Sequence, residues 1–252
     1  MVRALLTWLV SHAADIAAEL RGVAASRAVR TAMLWLWPYA GVIVGLDLAA
    51  IYGDATGAAL PAQFFISQDH SLGEFLEYAL TGSCAVMLLL MWRRLGATAY
   101  LANAAMMLWL TLDNAMQFHE AFGHWAAPAI PLPAGAPVAA NDVGELLCFA
   151  LVGGFWLTGL ASALVSAQRR AAAHSLLIAA GIGCAAVFGV AVDLIVHWGP
   201  HTLAALEFQT WLEDSGEFAF INLTFLLVVA FYDAEKRRWR TRSGGVLQPQ
   251  LV

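Results

Sequence analysis

Long apolar stretches separated by short polar segments run along most of the chain. Six of these stretches are long enough to cross a bilayer, which takes about 20 helical residues. They cover roughly residues 31–53, 72–92, 95–118, 143–167, 174–198 and 215–233. The whole chain is 61% hydrophobic and only 12% charged, which leaves too little polar surface for a soluble domain of 252 residues. The pattern therefore predicts an all-α, polytopic membrane protein with six transmembrane helices.

The N-terminal segment, residues 1–26, has a different pattern because it mixes apolar residues with ionisable ones. The ionisable residues are Arg3, His12, Asp15, Glu19 and Arg21. No short apolar core with a small-residue cleavage site is present, so a cleaved signal is not expected. The mixture predicts an amphipathic helix on the membrane surface, with a partly disordered leader as the alternative. We expect a six-helix domain over 27–235 and a basic cytoplasmic tail over 236–252.

The basic residues predict the orientation in the membrane. All 13 lysines and arginines fall in four clusters on one side of a six-helix path, and the connections on the other side contain none. The clusters are Arg3 to Arg30, Arg93–Arg94, Arg169–Arg170 and Lys236 to Arg242. By the positive-inside rule, both termini are expected in the cytoplasm of a bacterial inner membrane. Nucleic-acid binding has no support, because these basic strips are the ones that topology requires.

Two short patterns recur along the chain and indicate an internal repeat. The even-numbered spans open with related strings that contain Gly-Glu, and the odd-numbered spans end with an aspartate followed five positions later by an aromatic residue. The glutamates are Glu74, Glu145 and Glu217, and the aspartates are Asp47, Asp113 and Asp193. These recurrences predict three repeated α-hairpins, at about 31–92, 95–167 and 174–233.

The glutamates have a simpler explanation as well, since Ser/Asp-x-x-Glu is a helix-capping box. The three pairs concerned are Ser71/Glu74, Asp142/Glu145 and Asp214/Glu217. Capping does not explain the three aspartates, which lie near helix C-termini, where the helix dipole disfavours an anion. A carboxylate inside the membrane costs about 3 kcal/mol even on the lenient insertion scale, so the aspartates indicate function.

The acidic residues near the outer side have no basic partners nearby. Between residues 47 and 217 lie 14 of the 18 acids, and the only lysines or arginines there are the four arginines of the inner loops. Buried carboxylates must be paired, protonated or bound to a cation. Five of the seven histidines also lie on or near the outer side: His70, His119, His124, His197 and His201. Mixed carboxylate and imidazole ligands predict a transition metal, namely copper, iron or zinc, near the outer (periplasmic) face.

The spacing of these residues indicates which of them bind the metal. Asp193 and His197 are four residues apart and share one helix face. We expect three groups of ligands: Asp193, His197 and Glu217 from the third hairpin; Asp113, His119 and Glu145 from the second; and Asp47 and Glu74 at a hairpin interface. The zinc-protease motif HExxH is excluded, because His119 and His124 are five residues apart and diverge by about 140° on a helix.

The string Asp193-x3-His197 resembles the copper-ligand pattern in the membrane C subunit of copper membrane monooxygenases, which act on methane or ammonia. The following run, Trp198 to His201, is similar to that family's Trp-Gly-His. The resemblance implies a helical-hairpin subunit with a copper site. The chain departs from that family at Glu145 and Glu217, where the family has histidine, and at Gln117. The string from Asp113 to Glu120 also resembles bacterial membrane proteins with an Asp-(Asp/Glu)-x4-His-Glu signature and no established activity.

Together these features favour an integral membrane metal-binding protein, either an oxidoreductase or a subunit of one, acting on a small or lipid-soluble substrate. A cation or proton transporter that uses the same carboxylates is one alternative, although three repeats differ from the paired inverted repeats of many transporters. A non-catalytic membrane subunit or sensor is the other. The expected partners are the lipid bilayer and a homo-oligomer or larger membrane complex.

Overall fold

The computed structural model describes residues 2–133, 136, 138–192 and 203–244, and all regular structure in these ranges is helical. The helices are α1 (Val2–Ala25), α2 (Arg27–Thr56), α3 (Leu72–Leu95), α4 (Thr98–Met116), α5 (Phe118–Ala126), α6 (Ala140–Ser166), α7 (Arg169–Ala186) and α8 (Leu203–Gly244). A π-helical segment, Val187–Val192, continues α7. The all-α prediction is confirmed for this part of the chain. Three residues singled out above, Asp193, His197 and His201, lie outside the described residues.

Among the described residues, five helices are long and apolar enough to cross a membrane. Their spans are Arg27–Thr56, Leu72–Leu95, Ala140–Val165, Arg169–Val190 and Phe208–Thr241. The remaining predicted span, 95–118, corresponds to α4, which has 19 residues but is less apolar than the other five. Asn103, Asp113 and Asn114 lower its hydropathy. The described part of the chain therefore has the length and composition of a helical membrane protein, with five candidate spanning helices.

Four helices form the centre of the bundle. Helix α3 packs against α4 and α8, and α7 packs against the same two helices on the other side. Fully buried side chains fill the space between them, among them Leu88, Met107, Ile178 and Phe231. Inside a bilayer such packing stabilises the bundle through van der Waals contact, because lipid chains are as apolar as the side chains.

The peripheral helices depart from a simple row of hairpins. Helix α2 packs mainly against α8 and only weakly against α3, its expected hairpin partner. In contrast, α6 packs against α4, and α8 packs against α7. Helices α4 and α6 therefore contact each other directly, as do α7 and α8, whereas α2 and α3 contact each other only weakly.

The N-terminal segment is a helix, α1, that packs against the inner ends of α7 and α8. The inner end is the end that carries the arginine pairs of the short loops. A buried polar cluster joins the three helices there: Glu19 of α1 is bonded to Arg170 and His174 of α7, at 3.1 and 3.0 Å. Arg170 also contacts Glu235 of α8 at 3.0 Å. This cluster docks α1 onto the bundle.

Candidate functional site

A cavity of about 570 Å³ lies at the outer end of the bundle, opposite the arginine loops. Its lining comes mainly from α3, α4, α6, α7 and α8, and it contains no lysine or arginine among the described residues. One wall is acidic and includes Asp69, Glu74, Glu77, His119, Glu120, Glu213, Asp214 and Glu217. The rest of the lining, the apolar wall, is mainly apolar and includes Leu110, Phe149, Trp156, Leu157, Ile182 and Val190. The fold therefore collects acids from distant parts of the sequence into one cavity.

Two carboxylates of the acidic wall, the buried Glu77 and the half-buried Glu217, come from different helices. Glu77 lies on α3 and is only 7% exposed, and Glu217 lies on α8, where the two negative charges repel each other. Within the described part of the chain, neither carboxylate accepts a hydrogen bond or pairs with a lysine or arginine. A buried carboxylate without such a partner requires a proton or a cation.

Two glycines let α8 approach the π-helical segment closely beside Glu217. A Cβ built on Gly189 would collide with Oε2 of Glu217, and one built on Gly216 would collide with the ring of Phe188. The absence of both side chains places the Glu217 carboxylate directly against the segment that leads to Asp193. Single π-helical turns occur often at functional sites.

His119 is held in place by the aspartate at the end of α4. The chain turns sharply at Gln117, which has a left-handed backbone (φ 54°), and this turn brings α5 back towards Asp113. The backbone N–H of His119 donates to Oδ1 of Asp113 at 2.9 Å, and Nδ1 of the ring lies 3.0 Å from Oδ2. Asp113 is completely buried. Its role is therefore to orient His119.

This arrangement sets the chemistry of the imidazole. Because Nδ1 is bonded to a carboxylate, it carries the proton in the neutral ring, and Nε2 is left as the electron-pair donor. Metal-binding histidines are commonly oriented by a carboxylate in this way. Burial opposes protonation of His119, but the hydrogen bond and the charge of Asp113 outweigh it and raise the pKa of the ring. Glu145 and Glu120 add to this effect.

The other predicted aspartate in the described residues, Asp47, has a comparable structural role. Its Oδ1 accepts the backbone N–H of Ile66 at 2.9 Å. Asp47 is buried and does not line the cavity. At both helix ends, the aspartate accepts an N–H from the outer segment that follows, which fixes the position of that segment.

The first glutamate is a helix cap, as its sequence context predicts. The hydroxyl of Ser71 accepts the backbone N–H of Glu74 at 3.2 Å. The Glu74 carboxylate reaches back to the N–H of His70 and also accepts the Tyr78 hydroxyl at 2.6 Å. Glu74 lines the cavity at the same time, so capping and a site role are compatible there.

The capping interpretation is wrong for the other two pairs, because their helices begin earlier than expected. Helix α6 starts at Ala140, so Asp142 is its third residue and accepts the N–H of Ala139 at 3.0 Å. Helix α8 starts at Leu203, which puts Asp214 about three turns inside the helix. Glu145 and Glu217 therefore have no capping role. Glu145 instead packs against Gly123 of α5, close to His119.

Glu77 was absent from the predicted ligand set. The available signal was its position one helical turn after Glu74, which places both on one face of an apolar helix. Among the described residues, no three His, Cys, Asp or Glu side chains converge closely enough to hold a metal ion as they stand. Four candidate residues line the cavity, namely Glu74, Glu77, His119 and Glu217, whereas Asp47 does not.

Comparison with known proteins identified no similar protein. No protein-family model matches the chain, and no curated protein or solved structure matches it significantly. The resemblance to the copper monooxygenase subunit stays a prediction from short motifs.

Proposed function

We propose that this protein is an integral membrane metal-binding protein whose site lies in the outer cavity. Glu77, Glu217 and His119 form the core of the site, and Asp113 orients the histidine. The observation that carries the proposal is a buried and a half-buried carboxylate, neither with a lysine or arginine partner among the described residues, in a cavity that His119 also lines. Bringing a cation between Glu77 and Glu217 would remove their repulsion and satisfy both groups.

Further ligands are available around this core. Glu74 lines the cavity, and Glu145 lies close to His119. Asp193 and His197 follow Gly189 along the chain, and Gly189 lies against Glu217. We propose that this segment supplies the remaining ligands. A set with several carboxylates and one or two imidazoles suits iron or zinc, with copper as the third choice.

The acidic and apolar walls together suggest the kind of chemistry. A metal in this cavity would act on a small or lipid-soluble substrate held against the apolar wall, as an oxidoreductase or a subunit of one. Glu77, Glu217 and His119 would hold the ion, which as a Lewis acid would supply polarisation of a bound substrate, while the apolar wall would exclude water.

Metal analysis of the protein purified in lipid nanodiscs tests the proposal. We expect near-stoichiometric iron, zinc or copper in the wild type and loss of the metal in Glu77→Gln and Glu217→Gln. Asp54→Asn is the matched control, because Asp54 is an exposed outer acid that does not line the cavity. Wild-type protein with no more metal than the Glu77→Gln variant would refute the assignment.

A cation or proton transporter is the second candidate. The observation that favours it is the mutual repulsion of Glu77 and Glu217, which suits a pair that takes up and releases a cation in turn. In proteoliposomes, a transporter would move protons or metal ions down an imposed gradient, and Glu77→Gln would abolish the flux. A metalloprotein with a resident ion would retain its metal and show no flux.

We also propose the six-span topology, with α4 as a sixth span, three repeated hairpins, and both termini in the cytoplasm of a bacterial inner membrane. The 19 residues of α4 extend about 28 Å, close to the thickness of the hydrocarbon core, and α4 packs extensively along α3. Cysteines placed at the exposed positions Thr98 and Ala121 flank this helix. In intact cells, an impermeant maleimide should label Ala121→Cys but not Thr98→Cys. Equal labelling of both would show that α4 does not cross.

A further inference from the structure

Several cavity-lining residues on α6 and α7 are exposed. Leu157 of α6 lines the cavity and is 55% exposed. Gly183 and Ala186 of α7 likewise line the cavity and are exposed. Helices α6 and α7 follow each other in the chain and contact each other little, so these residues indicate an opening of the cavity between the two helices.

The opening lies at the depth of the lipid chains. Gly153, which lines the cavity beside Leu157, is 13 residues from Ala140 and therefore about 20 Å along α6. Gly183 is 14 residues from Arg169, or about 21 Å from the inner end of α7. The hydrocarbon core is about 30 Å thick, so both glycines lie well inside it. The cavity therefore opens to hydrocarbon at this point.

The walls beside the opening leave room for a chain. A Cβ built on Gly153 or Gly183 would meet no atom within 4 Å. The Trp156 indole donates to Oδ1 of Asn103 at 3.3 Å, which holds the large ring against α4. Small residues thus flank an apolar channel, the gap between α6 and α7, and Trp156 lines the same cavity.

We propose that the cavity binds a lipid-soluble molecule with one apolar chain and a polar end that donates hydrogen bonds, such as a long-chain alcohol or amine. The chain lies between α6 and α7, and the polar end reaches Glu77 and Glu217. This inference rests on the proposed function, because the polar end is expected to meet the proposed site. It deepens that function by naming the substrate class.

The charge and size of the cavity select this class. The acidic wall has seven carboxylates, one histidine and no described lysine or arginine, so it stays net negative even with one divalent cation and disfavours a carboxylate or phosphate head group. Ionised carboxylates accept hydrogen bonds only, and an amine or hydroxyl supplies them. A volume of about 570 Å³ falls within the range of small-molecule sites and suits one chain with a small head group.

Native mass spectrometry of the full-length protein released from nanodiscs tests this inference, with dodecylamine, dodecanol and dodecanoate as probes at equal concentration. We expect one bound dodecylamine or dodecanol per chain and little dodecanoate. Gly153→Leu should lower the occupancy at least about tenfold, because the new side chain occupies the channel. Gly154→Leu is the matched control: it adds the same side chain into equally open space on α6, but outside the cavity.

The same samples are analysed for metal, which separates the two proposals. If the binding of dodecylamine or dodecanol falls in Gly153→Leu but not in Gly154→Leu, the inference is supported, whether or not the wild type holds a metal. Equal occupancy in the two variants, or preferential binding of dodecanoate, overturns it even if the metal is present. Gly183→Leu gives the same test from α7 should Gly153→Leu fail to fold.

Discussion

The Asp113 carboxylate holds His119 by two hydrogen bonds, one to the backbone N–H at 2.9 Å and one to ring Nδ1 at 3.0 Å. The two residues lie on different helices, and the left-handed turn at Gln117 brings them together. One carboxylate thereby fixes the position of α5 and directs Nε2 of the ring outward as an electron-pair donor.

Asp113→Asn should separate these two roles. The amide oxygen can still accept the backbone N–H, but the amide NH₂ cannot accept the Nδ1 proton, so the ring is driven to the tautomer whose Nε2 is protonated. We expect metal affinity to fall about 10- to 100-fold, the usual effect of losing such a partner, while the fold is retained. Competition with a chelator measures the affinity. Unchanged affinity in a folded Asp113→Asn protein would exclude His119 as a ligand.

Glu77→Gln should stabilise the metal-free protein. Without a cation, burial and the charge of Glu217 force Glu77 to take up a proton, and a permanently neutral amide removes that requirement, an effect of about 1–3 kcal/mol. The two single variants should each raise the unfolding temperature after chelation, and the double variant should gain less than the sum, because each removes the same repulsion. Thermal unfolding of all four proteins completes the cycle. Strict additivity would mean that the two carboxylates do not interact.

Gly123→Ala should disrupt the contact between α5 and α6. The added Cβ would lie 2.5 Å from Cγ of Glu145 and 2.7 Å from the backbone oxygen of Asn141, so the helices must move apart. We expect a loss of about 1–3 kcal/mol in the free energy of unfolding and weaker metal binding, because Glu145 and His119 shift. Gly41→Ala is the control, since an added Cβ there meets nothing within 4 Å. That change should be neutral or stabilising by about 0.5–1 kcal/mol, and both are measured by denaturation in nanodiscs.

The docking of α1 should depend on pH through Glu19. Burial opposes ionisation of Glu19, but its hydrogen bond with His174 and the charges of His174 and Arg170 lower its pKa below the usual 4.5. A lowered pKa stabilises the fold at pH values above 4.5, and the contribution disappears as the pH falls through the lower folded value.

We therefore expect Glu19→Gln to be less stable than the wild type by about 1–2 kcal/mol near neutral pH, with the difference vanishing in acid. Thermal unfolding of both proteins from pH 7 to pH 3 measures it. Asp15→Asn serves as the control, because its ion pair with Arg169 is largely exposed and should contribute under about 1 kcal/mol. A difference that grows on acidification would contradict the assignment.

The sequence predicted the elements well because their signals are local. Apolar stretches of spanning length match α2, α3, α6, α7 and α8. The predicted bounds of α3 agree with the structure within a few residues, whereas α8 extends beyond its predicted span at both ends. Ser71 caps α3 as its spacing to Glu74 predicts. The same spacing did not predict the helix start at Asp142 and Asp214, because the residues before them are also helical. The Asp-x-x-Glu pattern does not exclude a helix that begins earlier.

By itself, the sequence determined a helical membrane protein with its acids at one end and its arginines at the other, since hydropathy and charge order are properties of the linear chain. Only the tertiary structure decided which acids meet. Glu77 and Glu217 are 140 residues apart and share a cavity because α3 packs on α8. Asp47 has the same helix-end pattern as Asp113, yet it binds a loop amide outside that cavity. Packing between distant helices, which no local pattern encodes, separates the carboxylates that hold the fold from those left free to bind a ligand.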